Sequence, residues 1–272
     1  MVIGMKCENI NIDSSRILLG AHRGDRKHFP ENTMAAMRAA VQMGCDAIET
    51  DVRMTKDGHL VLIHDRDVSR TTDQSGLIDE MSLEEVRALD AGSWKGAAFA
   101  GEKIPTVEEF LSFIAPTNVI INWELKEYPV DLGNERAFAC ADRLIDLIDQ
   151  FGMKKRSIMN SFSDQVLEHI ADQYPGQFPI HGYLHYKEPK DFSKKPLESF
   201  LDWAAVWRKD ECHPEGFAED YEEILSLHIL PCILVPDEKQ HYQHALEMGC
   251  RMFTSDDPET ALKILRELGC RS

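Results

Sequence analysis

Glu49 and Asp51 stand two residues apart where an apolar run, Ala47-Ile48, opens toward a polar turn at Lys56-Asp57-Gly58. On a strand, residues i and i+2 share a face, so the two carboxylates aim into the same space. Like charges held that close repel unless something positive lies between them. A hard divalent cation, which takes oxygen ligands, is the usual remedy. A solvated edge hairpin with alternating charge would carry the same residues. After the turn, Leu60-Val61-Leu62-Ile63 delivers His64 and Asp65.

A second cluster begins where Arg16-Ile17-Leu18-Leu19-Gly20-Ala21, a short buried strand by composition, runs into His22-Arg23-Gly24. In α/β folds, chemistry is presented where buried strands open into such loops. One histidine there would read as a hydrogen-bonded structural residue. A histidine beside an arginine, with His64 and paired carboxylates elsewhere, is a constellation. Arg23-Gly24-Asp25 also spells an adhesion tripeptide, but nothing else in the chain looks extracellular. In Ile121-Asn122-Trp123-Glu124-Leu125-Lys126, Asn122, Glu124 and Lys126 share a strand face. Alone that is a strand-end salt bridge; with Glu49 and Asp51, Glu124 becomes a third carboxylate and Lys126 a cation that can meet phosphate. Three carboxylates with substrate and water oxygens suit Mg²⁺ or Ca²⁺ rather than zinc, which prefers nitrogen and sulfur.

These motifs resemble the glycerophosphodiester phosphodiesterase family. The resemblance rests on HRG at 22–24, PENT at 30–33, ETDV and TKDG within 49–58, and HD at 64–65. It continues through RTTDQSG at 70–76, LDAGSW at 89–94, IPTVEEF at 104–110 and INWELK at 121–126. The second half matches thinly, at Ser161-Phe162 and at Phe253-Thr254-Ser255-Asp256-Asp257-Pro258. The resemblance implies metal-dependent hydrolysis of glycerophosphodiesters to glycerol 3-phosphate and an alcohol. It implies Glu49, Asp51 and Glu124 as metal ligands, Arg23 and Lys126 as phosphate contacts, and His22 and His64 as the acid–base pair. The pairing is chemically sensible, because imidazole titrates near neutral pH and can take or give a proton. No Ser, Thr or Cys occupies a matched motif position beside either histidine, so the attacking oxygen is expected from water or the substrate itself.

One segment departs from the family. Members usually carry a Trp-Thr-Val-Asn type segment on a late strand, whose aromatic residue helps wall the substrate. Here the corresponding stretch is Cys232-Ile233-Leu234-Val235-Pro236-Asp237, and Trp207-Arg208-Lys209-Asp210 before it is equally unfamiliar. The alcohol of the substrate is therefore open, with a lysophospholipid or a sugar phosphodiester as the alternative. Phe162 and Ser161 are expected along the pocket, His181 and His185 near the barrel mouth, and His241 and His244 on the surface.

Strand candidates fall near 17–21, 46–51, 60–64, 118–124, 156–160, 179–184, 203–207, 229–234 and 251–254. Helical patterns fall at 31–43, 134–151, 163–173 and 258–268, with capping boxes opening at Ser82 and Thr106. Regular strand–helix alternation predicts an α/β fold, an irregular TIM (β/α)8 barrel. Eight strands close such a barrel, and the link from Val52 to His59 is too short for a crossover helix. The extra or reversed strand is therefore expected in this hairpin. Residues of about 66–104 break the alternation and predict a small, lid-like insertion after the His64 strand.

At 272 residues and 43% hydrophobic, the chain suits one domain over 1–272 with a sizeable core. Its net charge of −17 argues against nucleic acid or an anionic membrane as partner and for a small-molecule substrate drawn in by local cations. The seven cysteines are scattered, odd in number and without a C-x-x-C, which argues against a disulfide framework or a zinc cage. The first residues lack the apolar core of a signal peptide, and no apolar run nears the roughly 18 residues of a membrane span. A cytoplasmic location is expected.

Overall fold

The computed structural model describes residues 16–184, 191–206 and 216–271. In chain order these form β1 (Leu18–His22), α1 (Met34–Met43), β2 (Ala47–Met54), β3 (Leu60–Leu62), α2 (Leu83–Ala88), α3 (Val107–Ile114) and β4 (Ile120–Leu125). There follow α4 (Pro129–Leu132), α5 (Asn134–Gln150), β5 (Ser157–Asn160), α6 (Asp164–Gln173), β6 (Ile180–Tyr183) and β7 (Trp203–Val206). The chain closes with α7 (Ala218–Ser226), β8 (Leu230–Leu234), α8 (Lys239–Glu247), β9 (Met252–Ser255) and α9 (Pro258–Glu267). The strands run in the order β1-β9-β8-β7-β6-β5-β4-β2, and β1 pairs with β2 to close the ring. All these pairs are parallel, whereas β3 lies antiparallel along β2. The result is an eight-stranded parallel TIM barrel with the hairpin supplying the reversed ninth strand.

Neighbouring residues on each strand bury against different cores. Leu19, Ile48, Ile121, Met159, Ala204, Ile233 and Phe253 pack outward against the helices. Leu18, Ala47, Ile120, Ile158, Trp203, Cys232 and Met252, each one residue earlier, fill the lumen. That alternation is the two-residue period of a strand buried on both faces. Continuing it, Glu49 and Asp51 share the parity of Ala47, Glu124 and Lys126 that of Ile120, and His22 that of Leu18. The same sequence pattern that plugs the lower lumen with apolar side chains thus delivers charged ones at its C-terminal mouth.

Local signals set the helix ends. Thr33 caps α1 through a bond from the Ala36 N–H, and Gly44 ends it in the left-handed region. Ser82 with Glu85 and Thr106 with Glu109 form the expected capping boxes of α2 and α3. Residues 66–104 enclose their own apolar cluster, in which Val68, Ile78, Val86, Leu89 and Ile104 pack on Val61 and Ile63.

Three expectations need correction. β3 ends at Leu62, so His64 sits in the loop beyond the strand. His241 is buried rather than on the surface, because α8 lays Tyr242 and Ala245 against the barrel and His241 is carried with them. His244 is partly covered as well, its ring edge-on to Tyr221 at 5.8 Å. His181 lies deep in the lumen, fully buried, and does not reach the mouth; His185 and Trp207–Asp210 fall outside the described residues.

Candidate active site

A cavity of about 380 Å³ opens at the C-terminal ends of the strands. His22, Arg23, Glu49, His64, Glu124 and Lys126 all line it, and Asp51 lies fully buried beside them. The strand register explains the gathering. Glu49 lies opposite His22 on β1, and Asp51 lies opposite Glu124 on β4. Glu49, Asp51 and Glu124 bring one carboxylate oxygen each within 4.8 Å of one another.

The carboxylates are not equivalent. Burial pushes the Glu49 carboxyl well above its usual range, and the charges of Asp51 and Glu124 add to the shift. Burial acts on Asp51 in the same sense, but Lys126 and Arg23 outweigh it and hold that carboxyl well below the usual range. Lys126 Nζ hydrogen-bonds Glu124 and stands 3.2 Å from Asp51 Oδ1; Arg23 Nε stands 3.1 Å from Asp51 Oδ2. Asn32 Nδ2 donates to Asp51 Oδ2 at 2.8 Å. Even so, Glu49 Oε1 is buried without a hydrogen-bond partner, and Asp51 Oδ1 has only the Lys126 ammonium beside it. A buried polar atom left unpaired costs about 1–3 kcal/mol. An all-oxygen donor set of this kind suits a hard divalent cation, so the three residues fit one.

Arg23 reaches this position through its backbone. It adopts the left-handed region at φ 56, and its N–H donates to the Glu49 carbonyl at 2.9 Å. Gly24 follows at φ 78, and a Cβ there would lie 2.7 Å from the Ala36 carbonyl carbon. Only glycine permits α1 to pack so close, which is why the His-Arg pair is followed by Gly.

Each histidine is held by a carboxylate. His22 Nδ1 lies 2.5 Å from Asp256 Oδ1, and His64 Nδ1 lies 2.5 Å from Asp65 Oδ1. Arg26 Nη1 also approaches His22 Nδ1, at 3.2 Å. The closer, anionic partner decides the tautomer, so Nδ1 carries the proton and donates it to Asp256. His22 Nε2 then offers a bare lone pair, 3.7 Å from Glu49 Oε2. Burial lowers the His22 pKa, partly offset by its bond to Asp256.

The opposite wall is apolar. Phe162 and Tyr183 stack in parallel with ring centroids 3.7 Å apart, Lys126 Nζ lies 5.4 Å from the Phe162 centroid, and Leu234 and Val235 complete the lining. Val235, a β-branched residue, is held in the left-handed region at φ 46, an uncommon conformation for that side chain. Ser161 does not line the cavity. Its hydroxyl donates to the Leu125 carbonyl and accepts from the Ser163 N–H. Sequence spacing assigned no role to Glu31, Asn32, Asp65, Arg70, Tyr183 or Asp256. Most of these stand inside recognised motifs, and that membership was the one available signal.

A parallel barrel with carboxylates, cations and two histidines at its mouth holds the groups that a hydrolase of anionic esters uses. A family model described as the glycerophosphoryl diester phosphodiesterase family matches residues 22–215. A glycerophosphodiester phosphodiesterase of Caldanaerobacter subterraneus subsp. tengcongensis is 33% identical over 263 residues, covering 93% of this chain and 100% of that protein. One from Bacillus altitudinis is 35% identical over 267 residues, covering 91% and 98%. Among solved structures, a phosphodiesterase of Oleispira antarctica in complex with the product sn-glycerol-3-phosphate superposes with a TM-score of 0.78 at 24% identity, covering 93% of this chain and 98% of that one. The chain belongs to the glycerophosphodiester phosphodiesterase family and is an enzyme of that activity.

Proposed function

We propose that the protein hydrolyses glycerophosphodiesters to glycerol 3-phosphate and an alcohol with a divalent cation, Mg²⁺ or Ca²⁺, held by Glu49, Asp51 and Glu124. The observation that carries this reading is the buried trio of carboxylates, each offering an oxygen within 4.8 Å of the others, with Glu49 Oε1 left without a partner. When bound, the cation supplies positive charge that draws in the diester and polarises its phosphoryl oxygens. Arg23 offers the phosphate a planar fork and Lys126 a compact charge. His22 and His64, each with Nδ1 held by a carboxylate, use Nε2 to take the proton of the attacking oxygen and to protonate the departing alkoxide. The attacking oxygen comes from water or the substrate. The glycerol 3-phosphate bound in the Oleispira protein supports the same product here.

The Phe162–Tyr183–Leu234–Val235 wall favours a second reading, in which the alcohol side is apolar and the substrate is a lysophospholipid. Arg70, which touches Glu31 and Asp65 beside the cavity, supports 66–104 as a lid-like insertion in one phosphodiesterase domain. Among the described residues no helix is long and apolar enough to cross a membrane. The described cysteines are all free, and that supports a cytoplasmic location.

Exhaustive chelation should abolish turnover of a panel of glycerophosphodiesters and lysophospholipids read out as glycerol 3-phosphate. Mg²⁺ or Ca²⁺ should restore it, and Glu124→Ala should not respond to either. Full activity of the chelated enzyme, or of Glu124→Ala, overturns the reading.

A further inference from the structure

The two carboxylates that hold the histidines lead to one residue. On one side, Arg26 Nη1 reaches Asp256 Oδ1 at 3.2 Å, the oxygen that holds His22, and Arg26 Nη2 lies 3.3 Å from Glu31 Oε2. On the other, Arg70 Nε donates to Asp65 Oδ2, and Arg70 bonds both oxygens of Glu31, at 2.8 and 3.1 Å. Arg23 Nη1 adds a bond to Glu31 Oε1 at 2.8 Å. Charges therefore alternate without a break from Asp256 through Arg26, Glu31 and Arg70 to Asp65, with His22 and His64 at the two ends.

We propose that Glu31 is a shared positioning residue, fixing His22 through Arg26 and Asp256 and fixing His64 through Arg70 and Asp65. The proposal rests on the assignment of these histidines as the proton carriers. Its physical basis is charge balance. Three guanidinium groups meet at Glu31, and without its charge they repel one another and withdraw from Asp65 and Asp256. Burial raises the Glu31 carboxyl, but Arg70, Arg23 and Arg26 outweigh it and hold it at about 2, so the hub stays ionised wherever the histidines work. Each histidine needs its Nδ1 proton pinned so that Nε2 faces the substrate, and the carboxylate beyond the ring does that pinning. Glu31 touches neither ring, yet both rings depend on it. It lies on the loop between β1 and α1, and Arg70 arrives from the 66–104 excursion, so the hub also ties that excursion to the site.

The test is ¹⁵N spectroscopy of the histidine ring nitrogens in the Mg²⁺-loaded enzyme, paired with kinetics on a glycerophosphodiester. Glu31→Gln should move the Nδ1 and Nε2 resonances of both His22 and His64 and lower kcat by roughly 100-fold, the scale of an ångström-sized misplacement. Arg70→Gln, at a half-exposed side chain that the fold tolerates, should move only the His64 resonances, and Arg26→Gln only those of His22. A Glu31→Gln enzyme that keeps both sets of resonances and loses less than threefold in kcat overturns the proposal. Should Glu31→Gln not fold, Glu31→Asp decides: smaller shifts of both His22 and His64 support the hub, and unmoved resonances of both end it. Failure of the acid–base reading looks different, since His22→Ala and His64→Ala would then keep their kcat whatever the ring resonances do.

Discussion

The barrel mouth has two halves built from the same strand geometry and filled differently. β1, β2 and β4, with the loops after β1, β3 and β4, contribute His22, Arg23, Glu49, Asp51, His64, Glu124 and Lys126. The loops after β5 and β8, with the ends of β6 and β8, contribute Phe162, Tyr183, Leu234 and Val235. Deeper in the lumen the second half turns polar again, but quietly: His181 there meets Asn122 and Cys232 and no solvent. The difference teaches where sequence identity is forced. A carboxylate or imidazole acts only at a defined position and cannot be exchanged, whereas an apolar wall needs only volume and contact, which several side chains supply.

The largest effects should come from the charged half. His22→Ala and His64→Ala should each lower kcat by about 10²–10⁴-fold, the usual worth of a positioned proton carrier. The double variant should be little worse than either single one, because groups that act as a unit do not add. Both variants should fold, since both rings are partly exposed at the mouth. Near-normal kcat in either single variant breaks the division of the mouth into a reacting half and a supporting half.

A change inside the second half should leave turnover alone and appear in stability. Asn122 Nδ2 approaches His181 Nδ1 at 3.1 Å and Cys232 Sγ approaches Nε2 at 3.1 Å, consistent with a neutral ring, and burial lowers its pKa to about 3. The folded pKa is thus depressed below the ordinary imidazole value of 6.5. The unfolded chain binds the proton first, so stability is whole above about 6.5 and falls as pH drops toward 3, by about 1.4 kcal/mol per unit. Comparing urea unfolding of the chelated wild type and His181→Gln cancels the other titrating groups. The advantage of the wild type over the variant should shrink by roughly 2–3 kcal/mol between pH 7.5 and 4.5. A pH-independent difference would mean that His181 is not held neutral.

The same contrast governs what could be read in advance. The first half announced itself: Glu49, Asp51 and Glu124 followed the two-residue period, and the nine strand candidates fell where the barrel places them, down to the reversed partner of β2. The hydrogen-bond chain through Glu31 did not, because Asp256 and His22 are 234 residues apart and Arg70 and Glu31 are 39 apart. Spacing reports faces of one element, and such pairs exist only once the ring has closed. His241 departs from the surface expectation for a related reason: spacing along one helix does not show that the packing of α8 on the barrel covers it.

The smallest effect should come from the apolar wall, and it bears on which alcohol the enzyme releases. Leu234 is partly buried and lines the cavity beside Val235, in the stretch that departs from the family. If an acyl chain lies against it, Leu234→Ala removes apolar contact of roughly half a buried side chain, about 1 kcal/mol, or about fivefold in affinity. KM for a lysophospholipid should then rise about fivefold while kcat holds, because the contact is the same in ground and transition states. A small polar diester such as glycerophosphoethanolamine carries no group long enough to use that surface, and its KM should change by less than twofold. A selective rise assigns the wall to the alcohol side and favours the lysophospholipid. An unchanged KM for both substrates takes Leu234 out of substrate binding and favours the polar diester.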